Sequence, residues 1–270
     1  MDKNFKDWMD GLKPSERMPL LFIGHGNPMN TILDNAYRKS WELLGQKLPK
    51  PQAILSVSAH WLTRGTAVTA MPNPRTIHDF GGFPDELFQQ QYPAPGEPEL
   101  ADELIVMSKS HEIRPDYNWG LDHGSWAVLK PMFPLADIPV LQLSIDYHQP
   151  MSYHYELAQS LQKLRDKGVL VVGSGNLVHN LRRMNLSGKS FDWALEFDQK
   201  LAEIIEKGDD QQAMDFQQWG ELSKLAHPTY DHLLPLFYVL GLKRKDEAPV
   251  FFNETIDLGS VSMRSILYHQ

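Results

Sequence analysis

Four histidines stand where the regular pattern of the chain breaks. They are His25 in Gly24-His25-Gly26-Asn27-Pro28-Met29, His60 in Ser58-Ala59-His60-Trp61, His179 in Gly175-Asn176-Leu177-Val178-His179-Asn180, and His232 in Pro228-Thr229-Tyr230-Asp231-His232. Three of them follow apolar runs that read as buried strands: Leu20 to Ile23, Ala53 to Val57 and Val169 to Val172. The ends of such strands are where an open α/β sheet displays its reactive groups. Neutral imidazoles converging there make a site for a divalent transition metal. For His25, His60 and His179 the small residues alongside would let a ligand come close to the backbone. His232 reads equally well as part of a helix start, with His227 just upstream as its competitor.

His123 sits in Trp119-Gly120-Leu121-Asp122-His123-Gly124-Ser125-Trp126. One reading is a turn between two packed tryptophans. The other is a general acid/base poised near neutrality. The neighbouring Asp122 need not face the ring. His111, His148, His154 and His269 lie in polar surroundings and read as ordinary solvated side chains.

Other chemistries fall away. The chain has no cysteine, so thiolate metal sites, Fe–S clusters, disulfides and cysteine nucleophiles are excluded. Any metal must be held by His, Asp, Glu or water. Gly173-Ser174-Gly175-Asn176 is neither a dinucleotide fingerprint nor a P-loop. Ser174 is not in a nucleophile elbow, because Val172 and Asn176 occupy its two glycine positions.

The elements that would position these residues alternate in type. Residues 19–23, 53–58, 138–145, 169–172 and 249–256 read as strands. Residues 35–47, 99–110, 151–167, 191–207, 211–225 and 231–240 read as helices, with Gly168 a stop signal and Asp231 or Thr229 a candidate N-cap. Residues 71–98, dense in proline and glycine, read as an irregular cavity wall. The pattern predicts an α/β single domain, with a central mostly parallel or mixed sheet flanked by helices. Residues 1–18 read as a polar lead-in and residues 19–270 as the catalytic domain.

The 34 acidic residues outnumber the 26 basic ones, for a net charge of −8. That argues against binding nucleic acid or an anionic membrane. No window approaches the roughly 20 apolar residues of a membrane span, and the first residues lack the apolar stretch of a signal peptide. A cytoplasmic protein is the expectation; the oligomeric state stays open.

Seven motifs in one order carry a resemblance. They are Gly24 to Met29, Ser58 to Trp61, His78-Asp79-Phe80-Gly81-Gly82-Phe83-Pro84, Tyr92-Pro93-Ala94-Pro95-Gly96, Asp122 to Trp126, Gly173 to Asn180, and His232-Leu233-Leu234-Pro235-Leu236. From about Met18 to Arg264 the chain resembles the DOPA extradiol dioxygenases, of the class III, LigB-type ring-cleaving dioxygenases. The resemblance implies a LigB-like fold, a mononuclear non-haem metal, and a small-molecule catechol such as L-DOPA with O2 as substrates. It implies His25, His60 and His232 as metal ligands, and His179 as a fourth ligand or proton carrier. It implies His123 as an acid/base histidine close to the centre. More distant class III members use two histidines and a glutamate, whereas His232 stands here where that carboxylate is expected. An all-nitrogen site accepts Zn(II) readily, as well as Fe(II). Fe(II) is expected for oxygenase work, and Zn(II) is expected to fill the site in many preparations.

The residues fit that chemistry. A catechol must shed protons to chelate a metal, and His123 and His179 can move them. Trp61, Phe80, Phe83 and Trp126 are expected to wall a planar ring. A zinc-dependent hydrolase using the same histidines, and a non-catalytic metal-binding protein, are the competing readings.

Overall fold

In a computed structural model, which describes residues 17–108 and 110–269, alternation along buried strands decides the architecture. Strand β1, Leu20–Gly24, sends Leu20 and Phe22 to one face of the sheet and Leu21 and Ile23 to the other. Two separate apolar cores result, one on each face, as a sheet covered by helices on both sides requires.

Next along the chain come α1, Ala36–Lys47, capped by the Asn35 side chain, then β2, Ala53–Thr63, and β3, Thr66–Thr69. The proline-rich stretch that follows stays irregular except for α2, Asp85–Phe88. Then α3, Pro98–Met107, β4, Ile113–Asp116, α4, His123–Met132, β5, Val140–Asp146, and α5, Met151–Ser160, lead to β6, Val169–Gly175. Helices α6, Asp192–Glu206, α7, Asp210–Met214, α8, Glu221–Ala226, and α9, Leu234–Leu242, follow. The chain closes with β7, Ala248–Phe252, β8, Ile256–Asp257, β9, Val261–Ser262, and β10, Ser265–His269.

The main sheet has eight strands in the order β4-β3-β5-β2-β6-β1-β10-β7. Its centre, β5-β2-β6-β1, is parallel, and β10 and β7 extend it antiparallel. The sheet is therefore mixed, within a single α/β domain. One core packs α9 and α5 against Phe22, Leu55 and Val171; the other packs Trp41 of α1 and Trp126 of α4 against Ile23, Ile54 and Val172. Every residue of α9 is buried, which explains its unbroken apolar sequence.

Several expectations need correcting. His60 lies inside β2, not beyond it. β2 advances five residues from Val57 to Leu62 while β5 advances two from Leu143 to Ile145. Such a bulge breaks the alternation and re-aims side chains, commonly beside an active site. Gly173 to Gly175 likewise belong to β6. The span expected as one helix over 211–225 breaks into α7, a 3-10 turn at Phe216–Trp219, and α8. Strands β3, β4 and β10 give no clear sequence signal, being short or mixed. The polar lead-in lies outside the described residues except for Arg17 and Met18, and Met18 is buried. Among the described residues, no helix is long and apolar enough to cross a membrane.

Candidate metal centre and its cavity

The parallel strands bring the histidines together. His25 follows β1, and its backbone N–H donates to the Gly175 carbonyl at the end of β6 (3.1 Å). His60 projects from the bulge in β2. Asn176, just past β6, donates its N–H to the carbonyl of His232 (2.8 Å). A Cβ on Gly175 would lie 2.1 Å from that carbonyl oxygen, so only glycine lets the two segments meet. His179 is held by its N–H to the Ala226 carbonyl (3.0 Å) and a bridge to Val261.

The rings are in mutual contact. His25 lies 5.0 Å from His60, 5.2 Å from His232 and 5.8 Å from His123, between ring centroids. His60 lies 3.9 Å from His123, and His179 stacks flat on His232 at 3.5 Å. All five line one cavity of about 540 Å³, with Phe80, Phe83, Leu181, Met184 and Val261. That volume suits a small aromatic ligand. A larger groove of about 790 Å³, between α1 and the end of α4, holds none of these histidines. Four of its charges pair, Arg38 with Glu42 and Lys50 with Asp137, and Lys130 is bound to Gln90.

Four of the five rings, all but His179, have a hydroxyl or carboxylate oxygen within 3.5 Å of Nδ1. Ser174 Oγ donates to the Gly124 carbonyl (2.5 Å), so it accepts from His25 Nδ1–H (2.9 Å). Asp231, a carboxylate, accepts from His232 Nδ1–H (2.5 Å). Asp79 Oδ2 lies 2.9 Å from His123 Nδ1 and 3.5 Å from His60 Nδ1. Its other oxygen accepts the His123 backbone N–H at the start of α4 (2.9 Å). Carboxylate or hydroxyl partners of this kind fix a ligand's tautomer and direct Nε2 at a metal.

Burial favours the neutral form of His25, His60, His179 and His232. It pushes His25 and His232 well below the usual histidine value, with the neighbouring histidines adding to the effect. Burial, helped by His123 and opposed by Asp79, lowers His60 to about 3. Burial lowers His179 to about 4, with Asp231 opposing. Neutral imidazole is the metal-binding form. The donor set fits a metal by geometry as well. Nε2 of His25 and Nε2 of His60 are 3.2 Å apart. Two nitrogens each about 2.0–2.1 Å from one ion sit roughly 2.9–3.4 Å apart at right-angle to tetrahedral geometry. Two sets of ligand atoms lie within 4.8 Å of one another: His25, His60 and His123, and His179, Asp231 and His232.

The family model of the catalytic LigB subunit of aromatic ring-opening dioxygenase matches residues 23–257. The chain belongs to this family. It is an oxidoreductase, an extradiol dioxygenase of the LigB family. It is 48% identical over 262 residues to a 4,5-DOPA dioxygenase extradiol of Escherichia coli (strain K12), covering 95% of this chain and 97% of that relative. A Beta vulgaris protein of the same name is 38% identical, with 90% and 94% covered. The crystal structure of an uncharacterized protein from Escherichia coli K12 superposes with a TM-score of 0.82 at 43% identity. It matches 94% of this chain and all of that one. LigB-type dioxygenases use a metal, and the histidine cluster is placed to hold it.

All five histidines singled out in the sequence meet here, and three details differ from expectation. His123 is the first residue of α4, capped by Asp122, rather than part of a loop between tryptophans. Asp231 pairs with His232 instead of capping a helix. Of the expected aromatic wall, only Phe80 and Phe83 reach the cavity. Trp61 stacks on Trp119, and Trp126 is buried with its Nε1–H on the Ile77 carbonyl. In the sequence Asp79 stands out only as part of His78-Asp79-Phe80-Gly81-Gly82-Phe83-Pro84. A carboxylate 19 residues from one of the histidines it touches and 44 from the other gives no spacing signal. His154 and His227, by contrast, are core residues bound to Tyr238 and to the Leu177 carbonyl.

Proposed function

We propose that residues 19–270 form one catalytic unit that opens a catechol ring with O2 beside its paired hydroxyls, at a mononuclear site held by His25, His60 and His232. The observation that carries this reading is the facing of two Nε2 atoms at 3.2 Å, each ring fixed through Nδ1. Iron(II) is the proposed working metal. When bound, it would pass electrons from the catechol to O2 and hold the two substrates side by side. Zinc binds nitrogen ligands more tightly and competes for the same site.

The protein's own groups do the rest. Asp79 engages Nδ1 of His123 and leaves Nε2 to take a hydroxyl proton from the catechol. His179, stacked on His232, serves the same face as a second proton carrier, and its ring is exposed enough to reach substrate. Phe80 and Phe83 pack against the ring and exclude water. L-DOPA, the catechol named for the relatives, is the proposed substrate. Both oxygen atoms of O2 end in the product, a muconic semialdehyde.

Anaerobic reconstitution with Fe(II), then catechol and O2, tests this. The expected result is a yellow ring-opened product with one O2 consumed per ring. Activity with zinc alone, on an ester or amide, would replace this reading with a hydrolase.

A further inference from the structure

The catalytic cavity has a charge asymmetry that the ring chemistry does not use. Among the described residues that line it, Asp257 is the one carboxylate, and there is no lysine or arginine. Away from the histidines the wall is mostly apolar, with Phe80, Phe83, Leu181, Met184, Leu258 and Val261, and Asn27 is its one neutral polar side chain.

Asp257 is held in place. One of its oxygens accepts from the Tyr37 hydroxyl at 3.2 Å, and that hydroxyl also lies 2.9 Å from Thr255 Oγ1. The other oxygen has no partner among the described residues. The carbonyl of Asp257 accepts from Ser260 N–H (3.1 Å), closing a tight turn between β8 and β9. Leu258 in that turn has φ 50°, a conformation rare for a branched side chain. The turn sets Asp257 and Leu258 side by side on the cavity wall.

A half-buried carboxylate with an open oxygen, on a wall that carries no lysine or arginine to pair with it, attracts a cationic side chain and repels an anionic one. A catechol held by its hydroxyls at the histidines presents its side chain to the rest of the cavity. The geometry points to Asp257 as the specificity-determining residue: the cavity takes a catechol whose side chain carries an ammonium group, which Asp257 receives, and disfavours one carrying only a carboxylate. This rests on the dioxygenase reading above. Specificity here has an attractive and a repulsive half, both supplied by one side chain.

Three probes separate the halves: dopamine with an ammonium, dihydrocaffeate with a carboxylate, and catechol with neither. The iron-loaded full-length protein is expected to prefer dopamine over dihydrocaffeate by about tenfold or more in kcat/KM, the worth of a charge-assisted hydrogen bond. Asp257→Asn keeps the shape and removes the charge. It is expected to lower the dopamine-to-catechol ratio at least fivefold, and a smaller drop overturns the proposal. Tyr37→Phe releases the carboxylate without removing it, and is expected to lower the same ratio at least twofold. If Asp257→Asn does not fold, the Tyr37→Phe ratio decides. Calorimetric Kd values for the same probes on zinc-loaded protein read the preference without turnover. Failure to turn over any catechol would end the dioxygenase reading. The Kd ratio would still judge Asp257, and an unchanged ratio would overturn its role.

Discussion

Nε2 of His25 and Nε2 of His60 point at each other at 3.2 Å. His25 has no proton to spare for that contact. Ser174 donates to the Gly124 carbonyl and so obliges His25 to carry its proton on Nδ1. The Asp79 carboxylate favours the same tautomer in His60. Two lone pairs facing each other in a buried site repel unless a cation lies between them. The hydrogen-bonding around the rings thus calls for a metal where two strand ends meet.

Replacing either ring should empty the site. His25→Ala and His60→Ala are each expected to lose stoichiometric metal, measured by elemental analysis after preparation without chelator. His123→Phe is expected to keep near-normal metal while slowing catechol turnover roughly a hundredfold or more, the usual worth of general acid/base catalysis. His123 lies within ligand reach of His25 and His60. An empty site in His123→Phe would make it a ligand, and unchanged turnover would remove its acid/base role.

Gly124, the second residue of α4, explains why the chain needs a glycine after His123. A Cβ there would lie 2.3 Å from Ser58 Oγ and 3.0 Å from Cδ2 of the His60 ring. Ser58 Oγ in turn accepts the His60 backbone N–H (3.2 Å). Gly124→Ala should therefore destabilise the fold by about 1–3 kcal/mol through overpacking. It should also weaken metal affinity by roughly 10–100-fold, as changes to groups behind a ligand do. Gly81→Ala, where a Cβ meets nothing within 4 Å, is the stability control. Urea midpoints and a zinc titration check both. Equal midpoints for the two variants would show that Ser58 and His60 yield without cost.

The strand ends are readable because β1, β2 and β6 each begin with an apolar run, Leu20 to Ile23, Ala53 to Leu55 and Val169 to Val172, buried on both faces. His25, His60 and His179 could be placed from that alone. The bulge carrying His60 was not readable, since nothing in Ser58-Ala59-His60-Trp61 announces extra residues against β5. β10 escaped notice because Ser265 to His269 is mixed in polarity, although it pairs between β1 and β7. Asp79 and Asp257 were missed for another reason. Each works through a partner far along the chain, His123 for one and Tyr37 for the other, and local pattern holds no trace of such a pairing.

His154 reads as a solvated histidine in sequence and is fully buried on α5, its Nδ1 3.0 Å from the Tyr238 hydroxyl. Burial lowers it from 6.5 to about 4, with Asp146 opposing. Above pH 6.5 the folded and unfolded chains both hold it neutral. Between pH 6.5 and about 4 the unfolded chain takes up a proton that the folded chain refuses, so stability falls as pH falls. Below that window both forms are protonated and no further loss accrues. One such group contributes about 1.4 kcal/mol per pH unit, or about 3 kcal/mol across the window. His227, lowered to about 4 chiefly by burial, acts in the same direction. Urea unfolding of chelator-treated protein from about pH 7 to about pH 4 should show this acid loss. His154→Met should have a slope shallower by about one proton, since the metal-site histidines and His227 are common to both proteins. Parallel slopes would mean that His154 titrates alike in the folded and unfolded chain, and that the Tyr238 contact admits the charged ring.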